Sequence, residues 1–172
     1  MPGSLVLIDS ETVSSTTASV SLTGIDSTYN VFMVRYNNVT IDTDTKQLQF
    51  RYRNSSGDVT SANYDKARKI FYANASFLNS SGTDATQFNT VSIGTSTQEQ
   101  ANGLLYLFNF NNSSEYSFHT EEGSSLDYQP TLAGIQGGGV LTVAEAHTGI
   151  TFFVQSSNNL ESGEFKLYGL KK

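Results

Sequence analysis

Lys46-Gln47-Leu48-Gln49-Phe50-Arg51-Tyr52-Arg53 alternates polar and apolar residues without a break, placing Leu48, Phe50 and Tyr52 on one side and Gln47, Gln49, Arg51 and Arg53 on the other. A period of two is the signature of a β-strand with one wet face, because successive side chains of a strand point to opposite sides of its sheet. The same period recurs on either side of this stretch. In Tyr29 to Tyr36, Phe32, Val34 and Tyr36 share one face, while Val31, Met33 and Arg35 form a second, mostly apolar one. Gly103 to Phe110 sets Leu104, Tyr106, Phe108 and Phe110 against Leu105, Leu107 and Asn109. Strands apolar on both faces are usually covered on both, so these two segments are expected at the centre of a sandwich or at an interface.

Shorter strands are expected at Leu5 to Ile8, Ser19 to Leu22, Phe88 to Ile93, Tyr116 to Thr120, Val140 to Val143, Ile150 to Gln155 and Glu164 to Leu170. Polar, turn-rich sequence separates them. Asn54-Ser55-Ser56-Gly57-Asp58 and Asn79-Ser80-Ser81-Gly82 have the composition of hairpin loops, with a glycine able to take positive φ. The triple glycine Gly137-Gly138-Gly139 reads as a loop or bulge. One stretch departs from period two. Tyr64, Ala67, Ile70, Phe71 and Asn74 fit helical spacing, with Asp65, Lys66, Arg68 and Lys69 toward water. A short helix over 62–75, lying across the open end of the sandwich, is preferred here to a strand from Lys69 to Ala75. The expected fold is thus all-β, a two-sheet antiparallel sandwich with that one short helix, in a single domain over 1–172. Leu5 to Ile8, within 1–10, is either the first strand of the sheet or an arm that docks on a neighbour, the first being commoner.

At 172 residues, 37 % of them hydrophobic and 12 % aromatic, the chain can fill one sizeable core. Its longest apolar run, Gly103 to Phe108, is far too short to cross a bilayer as a helix, so a soluble protein with no membrane partner is expected. Met1 to Asp9 offers neither a basic stretch nor an apolar core long enough for a signal peptide. The absence of cysteine excludes disulfides and thiolate metal sites. A net charge of −6, with no basic cluster longer than Lys66-Ala67-Arg68-Lys69, argues against nucleic acid as a partner, since that affinity rests on neutralising phosphates. Only 15 % of residues are charged, whereas Ser, Thr, Asn and Gly abound, a surface more like that of a coat protein or adhesin than of a cytosolic enzyme.

Catalytic equipment is scarce, and no catalytic, cofactor-binding or metal-binding residue is expected. His119 falls in an expected strand and His147 in a turn, and both read as surface or sheet-face residues. Gly-x-Ser-x-Gly, Gly-x-x-x-x-Gly-Lys and His-Glu-x-x-His are all missing. Glu121, Glu122 and Asp127 could pair as the two acids of a glycosidase, but neighbours in a strand point to opposite faces, and a solvated turn is the simpler reading. Asp42-Thr43-Asp44 and Asp58 suggest calcium without the loop that binds it. Asn38, Asn54, Asn74, Asn79 and Asn112 each begin a glycosylation triplet, which in a chain so rich in Asn, Ser and Thr is expected by chance. The amides of Asn109, Asn111 and Asn112 beside Phe110 and Tyr116 could hold a sugar, although core packing uses the same aromatics.

Two segments resemble a recurring pattern in structural proteins of tailed bacteriophages of the marine and cyanobacterial type. One is Thr148-Gly149-Ile150-Thr151-Phe152-Phe153, then Ser156 to Leu160, then Ser162-Gly163-Glu164-Phe165-Lys166-Leu167-Tyr168-Gly169-Leu170. The other is Leu22-Thr23-Gly24-Ile25-Asp26-Ser27-Thr28-Tyr29 with Phe32, Asn37-Asn38-Val39 and Thr43-Asp44. The middle, from Asn54 to Asn102, carries none of the pattern. The resemblance implies a jelly-roll-like sandwich located in the virion, often a homotrimer, without a cofactor. It would act as a capsid decoration or cement protein on the major capsid protein, or as a tail or head fibre module that binds a host glycan. In physical terms Ser162-Gly163 supplies a tight turn and Glu164 to Leu170 a closing strand, with Phe165 and Leu167 set against Lys166 and Tyr168.

Overall fold

A computed structural model of the chain describes residues 5–126, 129 and 131–171, with Val91 described by its backbone alone. The strands in chain order are β1 (Leu5–Val13), β2 (Ser19–Thr23), β3 (Val31–Ile41), β4 (Lys46–Asn54), β5 (Gly57–Asp58), β6 (Tyr64–Tyr72) and β7 (Phe77–Ala85). They continue with β8 (Phe88–Ile93), β9 (Ala101–Phe108), β10 (Tyr116–Leu126), β11 (Leu132–Ala144), β12 (Gly149–Val154) and β13 (Leu160–Leu170). One sheet of eight strands runs β1-β13-β3-β9-β10-β11-β6-β7, and a smaller one runs β2-β12-β4-β5, with β8 also paired to β4. Every pairing is antiparallel. The two-sheet antiparallel sandwich expected from the period of two is therefore the fold.

The alternation in β4 decides which residues face the other sheet. Leu48, Phe50 and Tyr52 are fully buried. Tyr52 carries the packing across the gap, its ring 4.5 Å from that of Phe110, just past β9, and 5.7 Å from that of Tyr64 on β6. Phe50 meets Phe88 at 5.2 Å and Phe152 at 5.7 Å, and Phe152 meets Phe165 of β13 at 5.0 Å. These centroid distances and tilted or edge-on geometries are the favourable ones for ring pairs, which add to the gain from removing apolar area from water. Phe32, Val34 and Tyr36 of β3 and Phe165 and Leu167 of β13 close the same layer.

Several expectations need correction. No α-helix occurs among the described residues, and the segment expected to be one is β6, paired to β11 on one side and β7 on the other. Its inward residues are Tyr64, Lys66, Arg68 and Ile70, so charges occupy positions where alternation predicts apolar side chains, and that concealed the period of two. Asn79 to Gly82 is not a loop but the middle of β7. At a sheet edge with solvent on one side, a strand does not need an apolar stripe. Gly137 to Gly139 is not a loop either; it is the centre of β11, paired on both sides. Ser162-Gly163 is an irregularity inside β13, where the register shifts and Gly163 takes φ 145°, not a turn. The hairpin loop at Asn54 to Asp58 does join β4 to β5. Leu5 to Ile8 belongs to β1, which pairs with β13 in the chain's own sheet.

The outer face of β3 and β9 is left partly open by this architecture. Leu105 and Leu107 turn inward and are fully buried, while Tyr106 on the opposite face is 38 % exposed.

Close packing at β11 yields a test of the fold. A Cβ built on Gly137 would lie 2.5 Å from the carbonyl oxygen of Ala67 and 2.3 Å from Cβ of Arg68. Gly137→Ala should cost about 1–3 kcal/mol, as overpacking in a filled interior does, measured by denaturant unfolding. A loop glycine would tolerate the change.

Candidate functional site

The large sheet brings its titratable side chains together on its inner face, at the end covered by β4 and β8. In the register of β10, β11 and β6, Glu121 lies opposite Gly137, which lies opposite Arg68; one row along, His119, Gly139 and Lys66 align in the same way. Glycine in the middle of each row leaves room, which Arg68 and Glu121 fill over Gly137 and the Phe88 ring fills beside His119 over Gly139. Arg68 Nη1 reaches Glu121 Oε1 at 3.4 Å, with the two side chains 2 % and 3 % exposed. Arg68 also donates to the backbone oxygen of Asn89, to that of Thr90 at 3.5 Å and to Ser80 Oγ at 3.2 Å. Lys66 Nζ donates to Asn89 Oδ1, and Asn89 Nδ2 donates to Gln47 Oε1 at 2.6 Å.

Burial dominates the electrostatics. It pushes the Glu121 carboxyl above the usual range even though the Arg68 guanidinium pulls it down, and Glu121 Oε2 has no hydrogen-bond partner. Removing both charges from water costs more than their attraction returns unless every donor and acceptor is satisfied, and here one oxygen is not. Burial and the Arg68 charge likewise pull Lys66 below the usual lysine range.

His119 points into the aromatic core. Its ring lies 4.4 Å from Phe88 and 5.2 Å from Phe50, and its Nδ1 is 2.7 Å from the hydroxyl of Tyr52. Burial, and to a lesser degree Arg68, lowers its pKa to about 3. Neutral His119 shares a hydrogen bond with the Tyr52 hydroxyl. His147 is also buried, with Nδ1 2.9 Å from Ser117 Oγ and Nε2 3.4 Å from Glu145 Oε1. Ser, His and Glu in contact have the composition of a nucleophilic relay, but Ser117 is fully buried and its hydroxyl donates to the Asn109 carbonyl at 3.4 Å. The cluster ties the start of β10 to the loop after β11. Both histidines were expected at a surface or sheet face; His119 is on a sheet face, but neither is at the surface.

The remaining candidates separate. Glu121 and Glu122 point to opposite faces, Glu121 buried and Glu122 exposed, so neither is in a solvated turn and they do not form an acid pair; Asp127 lies outside the described residues. Asp42 spends both oxygens on Asn159, at 3.0 and 2.7 Å, and Asp58 is held by Arg53 and by Thr151 at 2.7 Å. Among the described residues no three acidic or histidine side chains gather as a metal would need. No helix among them is long and apolar enough to cross a membrane. Asn109 stands at φ 62° in the turn before β10 and Asn111 donates to the Asp26 carbonyl at 2.9 Å, so this amide cluster secures a turn.

The opposite, outer face of the large sheet carries a different feature. Tyr106 and Phe118, 38 % and 44 % exposed, lie at one end of that face, and Leu132, Phe71 and Phe77 at the other, with the Glu122–Gln136–Lys69 row between them. Between β10 and β7, Gly138 and Ala67 leave the sheet without bulk, and a trough of about 580 Å³ opens between Phe118, Val140 and Thr83. Compared with family models, with curated proteins and with solved structures, the chain matches none. The class its geometry defines is thus an antiparallel β-sandwich with charged groups in its interior and exposed aromatic rings on the outer face of its large sheet.

Two measurements check the interior. Arg68→Ala should cost about 3–5 kcal/mol because it strands Glu121 in the core, whereas Arg68→Met combined with Glu121→Leu should recover most of that loss in the same unfolding experiment. For His119 the unfolded chain takes up its proton near pH 6.5 and the folded chain only near pH 3. Its contribution to stability is complete above about pH 6.5 and is lost as pH falls toward 3. Glu121, held above its ordinary range, acts with the opposite sign, so the informative quantity is a difference between variants. The stability gap between wild type and His119→Gln should shrink by up to about 1.4 kcal/mol per pH unit on acidification.

Proposed function

We propose that this protein is a non-enzymatic virion component of a tailed bacteriophage, a decoration or cement protein that binds the coat and stabilises it, working as a trimer. The observation that carries the reading is the outer face of the large sheet. Exposed Tyr106 and Phe118 lie on neighbouring strands beside the trough next to Val140, and exposed apolar surface with aromatic anchors is what protein interfaces are built around. The resemblance of the Thr148 to Leu170 region to phage structural proteins supplies the partner class. The buried condition of His119, Ser117, His147 and Glu121 supports a structural role, since a reacting group must be reachable by its substrate.

A glycan-binding fibre module is the second reading. Its support is a depression beside the Gln155–Ser157 turn, where Phe153, Gln49, Gln87 and Asn158 set a ring among amides and Arg51 lies 4.8 Å over that ring.

Phage particles lacking the protein separate the two. Purified protein should bind their heads and restore resistance to heat, and Phe118→Asp with Tyr106→Asp should weaken that binding at least about tenfold without lowering the melting temperature. Labelling confined to the tail, or head binding that the double variant leaves intact, would contradict the decoration reading.

A further inference from the structure

The geometry points to an internal covalent cross-link: we propose that Lys66 Nζ and Asn89 Cγ join as an amide between the two sheets, with Glu121 as the carboxyl that moves the protons. Lys66 stands on β6 of the large sheet and Asn89 on β8, which pairs into the small one. Three contacts hold the reacting groups. Lys66 Nζ lies against the side-chain oxygen of Asn89. Asn89 Nδ2, the nitrogen that must leave, points the other way onto Gln47 Oε1 at 2.6 Å, so the amide is fixed with its carbonyl toward the lysine. The backbone oxygen of the same asparagine is held by Arg68. Amine and carboxamide are thus confined in mutual reach, a condition under which otherwise very slow acyl transfers become feasible.

Acyl transfer also needs a neutral amine and a group that shuttles protons. Burial and Arg68 favour the unprotonated lysine, and Glu121 is a buried carboxyl of the same cluster with a free oxygen and a raised proton affinity. Lys66 Nζ does not touch Glu121, so its ammonium passes a proton to the carboxylate through a bridging water, and the amine attacks Asn89 Cγ to form the N–C bond. The C–Nδ2 bond then breaks as a second proton from the attacking nitrogen reaches the departing one. Ammonia leaves and takes the proton held by Glu121 to become ammonium. Lysine ammonium and carboxamide therefore give one amide and one ammonium ion, with no change of oxidation state and no co-reactant.

The test is the intact mass of the full chain under denaturing conditions, followed by tryptic digestion. The wild type should be lighter than its sequence by one ammonia, resist cleavage after Lys66, and give a branched peptide containing Lys66 and Asn89. Lys66→Arg and Asn89→Ala should each have the full mass, and Asn89→Ala should melt roughly 5–10 °C lower, the shift expected for losing a cross-link. Glu121→Gln should remain largely uncross-linked; complete cross-linking in that variant would remove Glu121 from the reaction. A folded wild type of full mass, with the two peptides separate, would mean an ordinary hydrogen bond only and would overturn the proposal.

Discussion

Arg68 and Glu121 come from strands on either side of β11 and meet over Gly137, where no side chain stands between them. One row away Gly139 makes room in the same way for the Phe88 ring and for His119. A larger residue at Gly137 would collide with Arg68, and one at Gly139 with Phe88 of β8 and His119. The sandwich therefore depends at this end on absent side chains as much as on present ones. At the other end it closes by ordinary means, through Phe32, Val34, Phe165 and Leu167 packed on Leu22, Ile150 and Phe152.

This division explains what was legible in the sequence. Where the core is apolar, alternation gives strand, face and partner sheet together, as in β4, β3 and β13. Where the interior is polar, the rule inverts. Lys66 and Arg68 read as solvated because long charged side chains are almost always outside, yet both turn inward because Asn89, Thr90, Ser80 and Glu121 offer them oxygens. Three adjacent glycines read as a break in regular structure, yet here they are the centre of a strand. Asn79 to Gly82 read as a loop because an edge strand facing solvent shares the composition of a loop. The signal available for the buried cluster was the strict alternation Tyr64, Lys66, Arg68, Ile70, visible only if charge is allowed on the inner face.

The two faces of the large sheet have different consequences. Its inner face holds groups whose protonation is displaced by burial, which makes the interior sensitive to acid. Its outer face presents aromatic rings to water, with no described element of the chain covering them. β1 and β7 are the edges of the large sheet and leave backbone donors and acceptors unpaired within it.

Everything at this end of the molecule requires Gly137 to Gly139 to be a fully paired strand over a buried ion pair. Amide hydrogen exchange of the native protein, resolved by residue, measures this directly. The amides of 137–139 and of Arg68 and Glu121 should exchange among the slowest in the chain, through global unfolding only. Exchange of the glycine amides at rates typical of the turns near Ser55 and Asn112 would contradict it.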